Sequence, residues 1–459
     1  MNRWTQVDPL MVNQGEKVLH TLLERGFQAF FVGGCVRDEL MGRPVHDMDI
    51  ATSAKPEDVI AVFERTVPTG MEHGTVTVLM DAYAFEVTTF RKESQYEDHR
   101  RPASVEFVNA VTEDLLRRDF TMNAIARDIH GALIDPFEGR SDIKRGLIRC
   151  VGAAEERFEE DALRMLRAVR FASVFGFRPA KSLWKALLRG QDKLSYIAME
   201  RVRAELEKVV LGPRPLRGLA LLERSGLLRH VKAALPEAGG AANAEPDPAD
   251  RSQARLTRQL LAAEPRRELL AALAELPPEP QALRWSLLLQ ALGTAGEDVI
   301  PLMKGWTFPN KAAEETTAIV RFDEAWARAE AEERDEALLR RRWVVLQVTL
   351  GQAAAEHWLR RQAAVLAAAS LPEAQRITER ERLALARCWH GEVRAHALSE
   401  LAISGKDVLE LTGKQGGPWL GELMKRLLIS AAAGEIHNDK QALLDYVKAG
   451  VSEAWKQTD

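Results

Sequence analysis

The strongest constraint on this chain is an abrupt change of hydrophobic periodicity near Gly146. Before that point short β-branched runs alternate with helical stretches. Phe27 to Val32 is an apolar run ending at Gly33-Gly34, while Thr75 to Met80 and Ala84 to Phe90 read as strands joined by a tight turn after Asp81. Ser104 to Val108 is a further strand candidate, and helical spacing is visible over Asn13 to Arg25 and Pro56 to Arg65, the latter with Thr52 or Ser53 available as N-cap. After Gly146 the alternation vanishes and the helix formers Ala, Leu, Glu and Arg dominate. Leu420, Leu423, Met424, Leu427 and Leu428, for example, follow i, i+3, i+4, i+7, i+8, one apolar face of a helix. The expectation is an α/β head followed by a long all-helical body. Pro236 to Gln253 interrupts it with a Gly/Ala/Pro/Asp-rich run of no apolar period, which reads as a loop or flexible linker.

With 459 residues, about two to four domains are expected. Opposing charges nearly cancel, 63 Lys+Arg against 67 Asp+Glu for a formal −4. That excludes a protein that coats nucleic acid by bulk charge but leaves a local basic site open. No run of about 18 apolar residues is present, so no membrane span is expected. The opening MNRWTQVDPLMVNQ lacks a basic region followed by an apolar one, so no secretory signal is visible and a cytoplasmic protein is the default. Cys35, Cys150 and Cys388 lie far apart without ligand spacing and read as three reduced thiols. The ten His show no HxxxH or HExxH spacing, which argues against a zinc site.

Chemistry enters with Asp47-Met48-Asp49-Ile50. On a strand, residues i and i+2 share a face, so Asp47 and Asp49 would converge on a divalent cation with Met48 and Ile50 on the other face. A DxD alone is weak, because exposed Asp pairs are common on sheet rims. It gains meaning from the preceding Gly33-Gly34-Cys35-Val36-Arg37-Asp38. Glycines after a strand let backbone N–H groups approach an anion, and Arg37 one turn on adds charge-assisted bonds to a triphosphate. Together they point to metal-assisted nucleotidyl transfer.

GGCVRD followed by HDMDIATSA resembles the nucleotidyltransferase head of the polymerase-beta superfamily, and more narrowly the class II tRNA nucleotidyltransferase and bacterial poly(A) polymerase family. The likeness continues through FEVTTFRKE, RRPASVEFV, DLLRRDFTMNAIA, IDPFEGRSDIKRGLIRCVG and ERFEEDALRMLRAVRFASVFGF, in order over residues ~30–180. The resemblance implies a polymerase-beta-like catalytic head with a mixed sheet over 1–145. A helical neck with a nucleotide-recognition helix would follow over 146–215, and an all-α body and tail for tRNA binding over 216–459. It further implies that Asp47 and Asp49 bind Mg2+ and are catalytic. Gly34 and Arg37 would contact the triphosphate, and Arg118, Asp161, Arg164, Arg167 and Arg170 would line the incoming-nucleotide pocket. Glu86 is an even choice between a third carboxylate and a strand-face ion pair.

Glu160-Asp161-Ala162-Leu163-Arg164 matches the family's EDxxR motif, and its chemistry can be argued independently. Asp161 and Arg164 read as i, i+3 neighbours on a helix, ordinarily a surface ion pair of little worth. As base readers they are selective: a carboxylate accepts from the exocyclic amino group of cytosine or adenine, where guanine and uracil present a carbonyl. Arg164, Arg167 and Arg170 drift by about 60° per step, so they cannot all touch one base.

Within the family, Arg91 to Arg101 (RKESQYEDHRR) resembles the flexible loop used in switching from C to A, which favours complete CCA addition to tRNA from CTP and ATP over partial CC or A addition. The long basic extensions of polyadenylating relatives are not evident, and the only His-Asp dipeptide is His46-Asp47, so an HD phosphohydrolase domain is not expected. A homodimer is left open. A catalytically dead RNA-binding relative is disfavoured, because clustered carboxylates with no metal to bind only repel one another.

Overall fold

The computed structural model describes residues 4–93, 96–97, 101–102, 105–232 and 269–455. The chain divides into two compact units, residues 1–235 and 236–459.

The first unit is built on a seven-stranded mixed sheet among the described residues. Helix α1 (Pro9–Glu24) starts four residues earlier than the spacing predicts, because Asp8 caps it by accepting from Leu10 N–H at 2.7 Å and Pro9 is well suited to the first helical position. β1 (Ala29–Val32) leads through Gly33 into α2 (Gly34–Leu40), and β2 (Asp49–Thr52) pairs antiparallel with β1. Helix α3 (Pro56–Val62) begins after Lys55, not Ser53 or Thr52; the Thr52 hydroxyl instead donates to the Gln28 carbonyl at 2.7 Å. It also stops early, and β3 (Thr66–Gly70), absent from the sequence reading, takes up the edge beside β4 (Thr75–Met80) and β5 (Tyr83–Thr89). The order is completed on the other side by β10 (Ala126–Arg127) and β11 (Leu133–Ile134), with β2 and β5 the parallel pair.

Alternation along β1 and β2 feeds two cores. Phe31 and Ile50 pack with Val18, Leu19, Leu22, Phe85 and Val87 beneath α1, while Val32 and Ala51 pack on the opposite face with Phe90, Leu115 and Val151. Central strands buried on both faces are thereby held rigid where they end at the site. The segment 91–101, expected as a loop, contributes short ladders instead: β6 (Arg91–Glu93) pairs with β9 (Val105–Phe107), and β7 (Tyr96–Glu97) with β8 (Arg101–Pro102). Its residues 94–95 and 98–100 lie outside the described residues.

Helices follow: α4 (Val111–Leu116), α5 (Gly139–Arg145), α6 (Ala154–Glu160), α7 (Leu163–Phe175), α8 (Lys181–Arg189), α9 (Met199–Val210) and α10 (Pro215–Ser225). In the second unit all regular elements among the described residues are helical. One core gathers Phe322, Trp326, Trp343, Trp358 and Trp389, ring centroids 5.0–6.0 Å apart. Another forms around Met424, Leu427 and Leu428 of the helix Pro418–Ala432, whose apolar face is the one the sequence predicts and which starts at Pro418 after Gly417. The expected linker at Pro236 to Gln253 lies outside the described residues. No helix among the described residues is long and apolar enough to cross a membrane.

Candidate active site

A cavity of about 480 Å3 opens at the end of β1 and β2, lined by seven arginines and three aspartates together with Gly33, Gly34, Asn123, Leu163 and Phe171. Of the residues expected to bind nucleotide, Gly34, Arg37, Arg118, Asp161, Arg164, Arg167 and Arg170 all line it, as does Asp49. Such an excess of guanidinium groups suits a polyanion.

Gly33 is the hinge of the arrangement. Its φ of +74° is one that L side chains rarely adopt, and a Cβ there would stand 2.9 Å from an Arg118 Nη and 3.7 Å from an Asp49 Oδ. The glycine thus lets two oppositely charged side chains close over the turn.

Asp49 opens β2, and Asp47 precedes the strand in irregular backbone rather than lying on it as expected. Met48 and Ile50 are both buried in the core beneath α1. Asp47 is exposed and is not among the residues lining the cavity. Burial pushes the Asp49 carboxyl up to about 6, with the charges of Asp47 and then Glu86 adding to it and Arg118 and Arg37 opposing. Glu86 reaches this position because Val87 pairs with Ile50 in the parallel β2–β5 ladder, which sets Glu86 beside Asp49. Mutually repelling carboxylates, one largely buried, form a donor set that a divalent cation relieves. Among the described residues no three His, Cys, Asp or Glu close into a complete ligand shell. A hard cation at such a site completes its coordination with water or phosphate oxygens. Cys35 lies under the same turn, its thiol pushed up to about 12 by burial and then by Asp49, and is inert. All three cysteines are unpaired.

The arginines are held by a network that links three segments. Arg37 donates to Asn123 Oδ1 at 2.6 Å and pairs with Asp38 at 2.8 Å. Asn123 in turn donates to Asp119 Oδ1 at 2.9 Å, and Arg167 of α7 pairs with Asp119 Oδ2 at 2.6 Å. Burial alone would raise the Asp119 carboxyl, but Arg167, Asn123 and Arg164 outweigh it and hold it at about 2. Arg170 forms an ion pair with buried Glu205 at 2.6 Å and sits 3.9 Å from the Phe171 ring centroid. Burial lowers its pKa to about 10 despite Glu205. Arg118 pairs with Asp114 at 3.3 Å, while its buried Nε has no hydrogen-bond partner among the described residues, an orphan donor at the cavity wall.

One expectation fails. Asp161 does not lie on a helix with Arg164; it sits in extended backbone between α6 and α7, where it accepts from Leu163 N–H at 3.1 Å. Its ion-pair partner is Arg201 of α9 at 2.7 Å, whereas Arg164 pairs with Glu160 and donates to the Arg117 carbonyl at 3.1 Å. The short break between helices turns the two side chains to different neighbours, although both still line the cavity.

Comparison with known proteins agrees with this architecture. The poly A polymerase head domain matches residues 29–149, the probable RNA and SrmB-binding site of polymerase A matches 176–238, and the second domain of tRNA nucleotidyltransferases matches 277–447. A CCA-adding enzyme of Geobacillus stearothermophilus is 41% identical over 434 residues, 93% of this chain and 94% of the relative. The chain belongs to the CCA-adding enzyme family. A second member, from Lactiplantibacillus plantarum, is 36% identical over 96% of this chain and 97% of its own length. The crystal structure of the Bacillus stearothermophilus CCA-adding enzyme in complex with CTP superposes with a TM-score of 0.76 at 36% identity, covering 98% of this chain and all of that one. A Thermotoga maritima CCA-adding enzyme complexed with tRNA shares the fold, at a TM-score of 0.60 and 19% identity over 97% of both chains. Like the rest of the CCA-adding enzyme family, the chain is a tRNA nucleotidyltransferase, and such enzymes generally use a divalent metal.

Several pocket residues escaped the sequence reading. Asp119 and Asn123 stand inside the block RRDFTMN, but only their mutual 2.9 Å contact reveals them as the link between Arg37 and Arg167. Arg117 and Phe171 are adjacent to residues already singled out. Arg201, forty positions after Asp161, carried no local signal at all.

Proposed function

We propose that this enzyme adds C, C and A in turn to the 3′ end of tRNA, without a nucleic-acid template, using CTP and ATP and releasing pyrophosphate. The observation that carries the proposal is the single cavity in which a glycine turn, a buried aspartate, an arginine cluster and Asp161 meet. We assign residues 1–145 to the catalytic head, 146–215 to the nucleotide-selecting neck, and 216–459 to tRNA binding.

Gly34 and Arg37 bind the triphosphate, with Arg118 offering its orphan Nε and the Asp119–Asn123 link keeping Arg37 and Arg167 at a set separation. Fixed guanidinium groups stabilise charge developing on the transferred phosphate without reorganising. Asp47 and Asp49 would hold Mg2+, which when bound favours ionisation of the attacking 3′-hydroxyl and neutralises charge at the α-phosphate. Glu86 on the neighbouring strand repels the Asp49 carboxylate and so adds to the negative field that a bound cation would relieve. Asp161 selects the base: a carboxylate has about four acceptor sites, so with Arg201 and Leu163 N–H bound it retains capacity for the exocyclic amino group of C or A. Arg201 orients that carboxylate.

The test supplies a tRNA transcript lacking its 3′ end with CTP, ATP or both, in magnesium buffer. Addition of CC with CTP alone, and of A only after CC, is the expected result. Long oligo(A) growth on unrelated RNA would sink the proposal.

A further inference from the structure

Phe171 and Phe175 stand one turn apart on α7 and so share a face of that helix. Their rings stack, with centroids 5.4 Å apart and planes 14° from parallel. The buried Phe120 ring meets Phe171 edge-on at 5.7 Å. Phe177 leans on Phe175 at 5.7 Å, beyond the turn that Gly176 makes at φ +74°. The stack is thus held from both sides.

Four guanidinium groups face these two rings. Arg37 of α2 lies 5.3 Å from the Phe171 centroid and 4.9 Å from that of Phe175, and Arg43, just past the same helix, lies 5.1 Å from Phe175. From α7 itself, Arg170 and Arg167 lie 3.9 Å and 5.5 Å from the Phe171 centroid. Carboxylates serve part of this cluster: Asp38 accepts from Arg37 Nε at 3.0 Å and Nη2 at 2.8 Å, while Asp119 and Glu205 pair with Arg167 and Arg170. With Asn123 accepting from Nη1 at 2.6 Å, three of the five Arg37 N–H donors are taken and two remain for a ligand. The crowding of like charge is still felt. Burial lowers the Arg170 pKa, and the charges of Arg167 and Arg37 add to that while Glu205 and Asp119 oppose. The electron-rich faces of the two rings offset this repulsion where no carboxylate stands.

We propose that Phe171 and Phe175 form an aromatic cradle that positions Arg37 against α7, so that the phosphate-binding arginines of two helices act as one preset cluster. Both are positioning residues. Phe175 is the more informative, because it is half-buried and does not line the nucleotide cavity. It can influence the nucleotide only through the arginines that it holds. A guanidinium already in place when the triphosphate arrives has little freedom left to lose on binding it. The cradle rests on the reading of Arg37 as a triphosphate ligand, and it leaves base choice to Asp161.

The experiment puts mono-, di- and trifluorinated phenylalanine in place of Phe175 in the full chain and measures CTP binding in magnesium buffer. Each fluorine draws electron density from the ring face and weakens its pull on a cation, while the shape of the ring is nearly kept. CTP affinity should fall stepwise along the series, by about two- to fivefold at the trifluorinated ring, and inorganic tripolyphosphate should weaken as a competitor by a similar factor. Phe175→Leu, which removes the ring, should weaken CTP binding at least as much, and Phe175→Tyr should keep it near the wild type. Preference for CTP over UTP should not change in any of these proteins, since Asp161 is untouched. A flat fluorine series would overturn the cradle even if Phe175→Leu binds CTP poorly, because packing alone would then account for the ring. Affinity that rises with fluorination would overturn it as well. Failure of the wild type to bind either CTP or tripolyphosphate would instead overturn the reading of Arg37 beneath it.

Discussion

Replacing Asp119 by Asn tests whether one buried carboxylate holds the nucleotide arginines in place. The change keeps shape and volume but removes the charge opposite Arg167, 2.6 Å away, while both side chains are largely shielded from water. Lowering the Asp119 carboxyl from 3.8 to about 2 means that its ionised form is favoured in the folded protein by about 2–3 kcal/mol. The sign follows from linkage. The folded pKa lies below the unfolded one, so the contribution is complete above about pH 4 and is lost as pH falls through 2, with roughly half remaining at pH 3. Asp119→Asn should therefore melt about 5–10 °C below the wild type at pH 7 and close about half of that gap at pH 3. In addition assays its kcat/KM for CTP should fall about 10- to 100-fold, because Arg167, and through Asn123 also Arg37, are no longer fixed. A variant as stable as the wild type at pH 7, or a deficit equally large at both pH values, would refute the reasoning.

Asp49 should behave in the opposite sense. Its pKa is raised to about 6, so in EDTA the wild type should lose stability as pH rises from about 4 through 6, and Asp49→Asn should be the more stable protein at pH 7 by about 2–3 kcal/mol. The same variant should lose at least ~1000-fold in nucleotide addition in magnesium buffer; retained activity would remove Asp49 from the catalytic assignment. Asp161→Ala should accept UTP and GTP alongside CTP and ATP, measured by single-nucleotide extension, and unchanged selectivity would discharge Asp161 from base choice. Gly33→Ala forces a side chain into left-handed backbone 2.9 Å from Arg118, and KM for CTP should rise about tenfold or more with little change in CTP selectivity.

Much of the first unit follows from local pattern. Thr75–Met80 and Tyr83–Thr89 pair through a tight turn because Val76, Val78, Phe85 and Val87 alternate inward along them and Asp81, at φ 41°, takes the strained turn position. β3 escaped because Thr66–Gly70 is mostly exposed at a sheet edge and has no apolar face to announce it. The segment 91–101 looks like a loop in sequence for a related reason: charged two- and three-residue ladders carry no period. At the site, residues grouped in one motif were visible together, since Gly33, Gly34 and Arg37 are brought into place by a single strand-to-helix turn.

What the sequence by itself determined is chemical inventory and family: a glycine turn, a DxD, an EDxxR and an arginine-rich helix, in an order that few folds share. Only the tertiary structure decided how these charges are distributed among one another. Asp161 and Arg164 are three residues apart yet pair with Arg201 and Glu160, because the chain breaks between α6 and α7 and each carboxylate or guanidinium takes the partner that packing presents. The near-neutral net charge is likewise silent about the basic hollow lined by seven arginines. Coulomb interactions fall with distance in space and take no account of separation along the chain, so their pattern exists only once the chain has folded.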